Sequence, residues 1–213
     1  MKWPWEQNYD KWREFCIKSM RVTMVNISVG VVVLYIDSLI KYDIVMTVET
    51  APNTWTIIWQ FFSFLYMEEL IFYTFHRTLH DPKLYFLHKQ HHEYNVTISL
   101  AFIYSSEVEQ LSNVIATGVT YKLLASIYPV HIFTVIIWLV FRFVESMDGH
   151  CGYEWPWAVS NWVPFSSGSG YHFFHHSHNV GNYGGIVHLF DTFYGTNATY
   201  LQKLERDKVK KQK

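Results

Sequence analysis

The apolar residues of this chain come in blocks separated by short polar stretches, not in the strict alternation of a half-buried strand. Residues 22–40 (VTMVNISVGVVVLYIDSLI) are almost free of charge, and residues 55–75 are similar apart from the acidic pair Glu68–Glu69. A third block, 96–124, is interrupted by Glu107 and Glu109, and a fourth spans 127–144. Each approaches the roughly 20 residues a helix needs to cross a bilayer core. The pattern therefore predicts an all-α integral membrane protein with four transmembrane helices. One domain covers residues 1–213, with a polar segment at 1–21 and a basic tail at 201–213.

The lysines and arginines support that division. Five precede the first block, three (Arg77, Lys83, Lys89) lie between the second and third, and seven fall at or beyond the end of the fourth. The two alternate connections hold only Lys41 and Lys122. Fifteen against two is the asymmetry expected when both termini and the middle connection are cytoplasmic.

Composition narrows the classes further. A net charge of −1 leaves no footprint for nucleic acid. Cys16 and Cys151 make no disulfide framework and are expected to be reduced. The start, MKWPWEQNYDKWREF, reads as neither a cleavable signal nor an Arg-rich transit peptide. Twelve histidines are the outlier.

Most of these histidines are clustered. His76 and His80 are spaced i, i+4 and would share one helical face. His88, His91 and His92 follow i, i+3, i+4, an arc of about 100° on a helix. YHFFHHSH repeats that spacing in His172, His175 and His176, while His178 lies about 240° round from His172. His150 stands just beyond the fourth block. These clusters all fall at or near the cytoplasmic ends of the predicted helices, where a metal would satisfy the imidazole nitrogens directly. A single tetrahedral site takes four ligands, so nine imidazoles imply two ions. His131, His178 and His188 are left to packing or supporting roles.

Glu69 is the sharpest carboxylate. It lies seven residues before His76 and eleven before His80, on the same helical face, and an acid within an apolar segment is costly unless paired. It is expected to orient a ligand histidine or to lie beside the metals. Glu68 points about 100° away and is the weaker candidate. Asp81 and Glu93, each just after a histidine cluster, are further candidates to accept from ligand rings.

HRTLH, HKQHHEY, HCGYEWPW, FHHSHNVGNYG and FDTFYGT, in this order, resemble the fatty acid hydroxylase/sterol desaturase superfamily, most closely its 4-methylsterol oxidase branch. The resemblance covers about residues 67–200. It implies a four-helix membrane domain with a cytoplasmic helical cap that carries the histidine boxes. It also implies two irons, with zinc as a substitute, held by His76, His80, His88, His91, His92, His150, His172, His175 and His176. In that family such a site activates O2 and oxidises an unactivated C–H bond of a sterol or related lipid, with electrons from cytochrome b5 and a reductase. Lys210 and Lys211 of the terminal KKQK stand at dilysine retrieval positions, which points to the endoplasmic reticulum membrane.

The chain departs from the family pattern at Ser106–Glu107, where a His-Pro pair is usual, at Tyr171 and Phe173 around the third box, and at Phe190-Asp191-Thr192. These departures remove supporting polar groups and leave the ligands in place. They motivate a second reading, a repurposed member serving as a structural subunit of a larger membrane complex, for instance in the mitochondrial inner membrane.

Overall fold

The computed structural model describes residue 6 and residues 8–39 and 47–212. Seven α-helices run through them: α1 (Tyr9–Leu39), α2 (Thr54–Leu79), α3 (Glu107–Ala125), α4 (Ile132–His150), α5 (Ser169–His178), α6 (Leu189–Tyr194) and α7 (Ala198–Lys211). Among the described residues β pairing is limited to one isolated bridge, Ser166 with Val187. The expected all-α class holds.

Local chemistry sets the helix boundaries. Asn53 caps α2 by accepting from the Thr56 N–H at 2.9 Å, and Ser106 caps α3 by accepting from Glu109 N–H at 3.2 Å. The third apolar block is therefore not one helix: residues 99–103 form a 3₁₀ turn and α3 starts only after Ser106. In the fourth block Pro129 precedes the start, His131 accepts from Phe133 N–H at 3.1 Å, and α4 continues to His150. The first block lies within α1, and Ile40 and Lys41 lie outside the described residues.

A core of Phe64, Leu65, Leu124, Val130, Trp138, Val163, Ile186 and Val187 joins α2, α3 and α4 to the segments on either side of α5. Beside it, Glu68 clamps three helices together. Its carboxylate accepts from Thr117 Oγ1 of α3 at 2.9 Å, and from Trp138 Nε1 at 2.8 Å and Arg142 Nε at 2.9 Å, both of α4. Arg142 donates its other arm to Glu145 at 2.7 Å. The weaker of the two acids in the sequence thus proves to be a structural bolt. α1 is fastened separately, with Asn26 Nδ2 donating to the Ile103 and Ser105 carbonyls at 3.0 and 3.3 Å.

Taken singly, no helix among the described residues is long and apolar enough to cross a membrane. Several of the polar residues that lower their hydropathy face inward: Gln60, Glu68, Glu69, Thr120, Thr134 and Glu145 are all buried. The outer faces carry Ile115, Val119 and Leu123 on α3 and Ile136, Leu139, Val140 and Phe143 on α4, all exposed.

Candidate metal centre

The histidines reach one region from four directions. His76 lies in the last turn of α2 and His80 is its C-cap. His150 is the last residue of α4, and His172, His175 and His176 lie on α5. The middle box differs from its expected helix: His91 and His92 begin one 3₁₀ turn, and His88 closes another at Tyr85–Leu87. Here the i, i+3, i+4 spacing satisfies a tight turn, which brings three rings inward without a helix of their own.

These nine side chains form two groups. His76, His80, His88, His92 and His175 each bring one ring nitrogen within 4.8 Å of the others, and His91, His150, His172 and His176 do the same. Every member but His80 is buried. Each group mixes ligands from both halves of the chain.

Hydrogen bonds fix which nitrogen faces inward. A carbonyl oxygen can only accept, so a ring nitrogen bonded to one must carry the proton. His76 Nδ1 donates to Tyr183 O at 2.7 Å, His175 Nδ1 to Gly181 O at 2.6 Å, and His150 Nδ1 to Ser146 O at 2.8 Å. Their Nε2 atoms are then bare lone pairs directed inward. His88 Nε2 lies 3.1 Å from that of His76 and 2.9 Å from that of His92. His172 Nε2 lies 2.9 Å from that of His150 and 3.1 Å from that of His176. His80 Nε2 and His175 Nε2 have no hydrogen-bond partner.

Two nitrogens bound to one cation at about 2.1 Å are held about 3 Å apart. Lone pairs converging at that spacing, buried and unpartnered, fit two bound ions and the imidazole preference of iron, zinc and copper. The residues present fit the group the sequence implies.

Burial also holds eight of these rings neutral. Burial, reinforced by neighbouring rings, lowers His80 and His150 to about 3, and drives His76, His91, His92, His172, His175 and His176 below the ordinary range as well. The unfolded chain binds protons on these residues near pH 6.5, the folded one only far lower. Between about 6.5 and 3 the unfolded state therefore holds more protons, and stability falls as pH falls. The protein prepared without metal is expected to lose denaturant midpoint steadily on acidification below about pH 6.5. A midpoint that stays flat to pH 4.5 would contradict this picture.

The carboxylates occupy varied positions. Glu69, buried, hydrogen-bonds to backbone and to no ligand ring. It accepts the backbone N–H groups of Gly185 at 2.7 Å and Ile186 at 3.0 Å. Asp81 is exposed and closes a turn with Lys83 N–H at 2.9 Å. Glu93 accepts from Tyr104 Oη at 2.6 Å and Lys18 Nζ at 2.8 Å, away from both groups.

Two acids not singled out in the sequence do more. Glu109 Oε2 lies 3.0 Å from His88 Nδ1, on the side of that ring away from its neighbours. Asp191 accepts from Tyr183 N–H at 2.9 Å, Gly184 N–H at 2.6 Å and Thr196 Oγ1 at 2.5 Å. Both were visible as acids within apolar surroundings, the signal that picked out Glu69.

Of the remaining histidines, His131 is the α4 cap, His188 Nδ1 lies 3.1 Å from Thr192 Oγ1, and His178 is exposed and stacks on Phe174. The atypical residues have local tasks: Ser106 donates to Leu87 O at 2.6 Å, beside His88, and Tyr171 is buried against Tyr200.

A helical bundle whose ends gather nine inward-facing imidazoles defines a histidine-rich protein with a centre fit for two metals. Comparison with known proteins makes it specific: the fatty acid hydroxylase model matches residues 61–196, and the chain belongs to that family. It is 35% identical over 150 residues to a methylsterol monooxygenase of Aspergillus fumigatus, covering 70% of this chain and 51% of that protein. It is 34% identical over 162 residues to a C-4 methylsterol oxidase of Candida albicans, covering 75% and 53%. A very-long-chain aldehyde decarbonylase of Oryza sativa subsp. indica is 35% identical over 153 residues, covering 70% and 56%. The matched part thus spans about half the length of these curated relatives. No solved structure gives a significant match.

Proposed function

We propose that this chain is a membrane-embedded di-iron oxygenase that uses O2 to oxidise a C–H bond of a sterol or related lipid. The observation that carries the reading is the pair of histidine groups, whose buried Nε2 atoms converge at about 3 Å, with the outer nitrogens of His76, His150 and His175 fixed by carbonyls. Two irons held there would supply dioxygen activation and C–H oxidation. The chain's own residues hold the rings neutral and oriented, and keep water away.

The bundle suits a lipid environment. Along α2, α3 and α4 several polar side chains are buried while many aliphatic ones stand exposed on the outer face, as suits a bundle in lipid. At 1.5 Å per residue the 19 residues of α3, like those of α4, extend about 28 Å, close to a bilayer core. Averaged hydropathy is lowered by Glu68, Arg142 and Glu145, which pair with each other and not with lipid. We place the chain in the endoplasmic reticulum membrane with the histidine end cytoplasmic, where an external one-electron donor, cytochrome b5 with its reductase, can reach it.

A cavity of about 60 Å³ touches both groups through His76, His91, His150 and His172, with Phe72 and Phe102 in its wall. A cavity of that size holds only a few small molecules, so it admits O2 and the reacting end of a substrate, and the lipid body stays outside. Phe102 packs edge-on against Phe143, exposed on the outer face of α4, at 5.3 Å. That pair marks a lateral route from the bilayer.

The full chain purified in detergent is expected to carry two irons and, given a 4-methylsterol, O2 and a one-electron donor, to release an oxygenated sterol seen by mass spectrometry. Oxygenation of a long-chain aldehyde instead would keep the chemistry and change the substrate. A chain that binds no iron, or that copurifies with fixed subunits and makes no lipid product, would replace this reading with the structural one.

A further inference from the structure

The five-histidine group hydrogen-bonds to a loop that accepts no hydrogen bond from the four-histidine group. The loop, residues 179–186, follows α5, takes positive φ at Asn179, Gly181 and Asn182, and is fastened on both sides. Two buried carboxylates supply the fastening. Glu69 of α2 accepts from the N–H groups of Gly185 and Ile186, and Asp191 of α6 accepts from those of Tyr183 and Gly184. Gly184 fits between them with no room to spare. A Cβ there would overlap the Val187 carbonyl oxygen, and would lie 2.9 Å from Asp191 Oδ2 and 3.1 Å from Glu69 Oε1.

What the loop offers in return is two carbonyls, Tyr183 O to His76 and Gly181 O to His175. Both histidines belong to the five-membered group. In the four-membered group the outer nitrogens look elsewhere: His150 to Ser146 O, His91 towards Tyr104 O at 3.4 Å, and His172 and His176 to no partner.

We propose that Glu69 and Asp191 are positioning residues for one metal only: through loop 179–186 they orient His76 and His175, and so make the five-histidine position load independently of the four-histidine one. The inference rests on the metal-binding reading above. Groups that orient ligand histidines are worth about 10–100-fold in metal affinity when removed.

The test is a cobalt(II) titration of the full chain in detergent after metal removal, followed by visible absorption and equilibrium dialysis. The parent is expected to bind two ions. Asp191→Asn and Glu69→Gln are expected to weaken one binding step by about 10–100-fold and leave the other, with its absorption bands, unchanged. Gly184→Ala, which removes no polar group and lifts the loop off both acids, should give the same split. It carries the test should a carboxylate variant fail to fold. His172→Ala should weaken the opposite step.

Equal weakening of both steps, or of neither, in variants that keep parental helicity and melting temperature would overturn the proposal. A parent that binds no cobalt would instead remove the metal-binding reading on which it rests.

Discussion

His172→Ala is expected to leave a folded protein that holds about half the parental metal and, on the proposed function, oxidises lipid more than about 100-fold more slowly. The bound is conservative, because disturbing only a group behind a ligand costs about 10–100-fold. The His172 ring stands between His150 and His176, with Nε2 separations of 2.9 and 3.1 Å, so its removal opens the four-histidine group at its centre. The same ring lines the small cavity, where the reacting end of the lipid would arrive. Iron content by elemental analysis and product formation by mass spectrometry check the two halves of this expectation. Parental metal content in the variant would remove His172 from the ligand set.

The second large effect lies away from the metals. Arg142→Met strips the shared cation from Glu68 and Glu145, two acids that are 5% exposed. Breaking a buried ion pair from one side costs about 3–5 kcal/mol, because the partner is left charged and unpaired. Unfolding of the variant in detergent should show a loss of that size. The triple variant Glu68→Gln, Arg142→Met, Glu145→Gln should recover most of it, since no charge remains stranded. A triple variant as unstable as the single one would mean that the cluster contributes packing rather than charge compensation.

The sequence made some of this visible and hid the rest for physical reasons. The nine histidines stood out because imidazole spacing is local and short-range: His76 with His80, and His172 with His175 and His176, sit on α2 and α5 much as a 3.6-residue period requires. The middle box kept its ligands and lost its helix, because i, i+3, i+4 fits a pair of 3₁₀ turns as well as one α-turn. The division into five and four was not legible at all. It depends on which rings α4 and α5 bring to His91, a relation across 59 residues in the case of His150.

Glu69 shows the same limit. Its depth in an apolar block marked it as important, but its partners are backbone N–H groups 116 and 117 residues away. No periodicity reports such a pairing. Asp81 and Glu93 were attractive because they follow histidines directly, and adjacency in sequence placed them outward. The block boundaries shifted where Ser106 and His131 cap helices, since a capping side chain outweighs the hydrophobic run around it.

Neither histidine group exists in the first half of the chain. His76 to His92 supply four members of one and a single member of the other, and both wait for α5, ten residues long, to add the last rings. A growing polypeptide therefore presents both groups incomplete until residue 176 has been made and α5 has docked. On the proposed function, redox-active iron would be kept off a half-built chain by the order of synthesis, and α5 is the keystone whose docking completes both histidine groups.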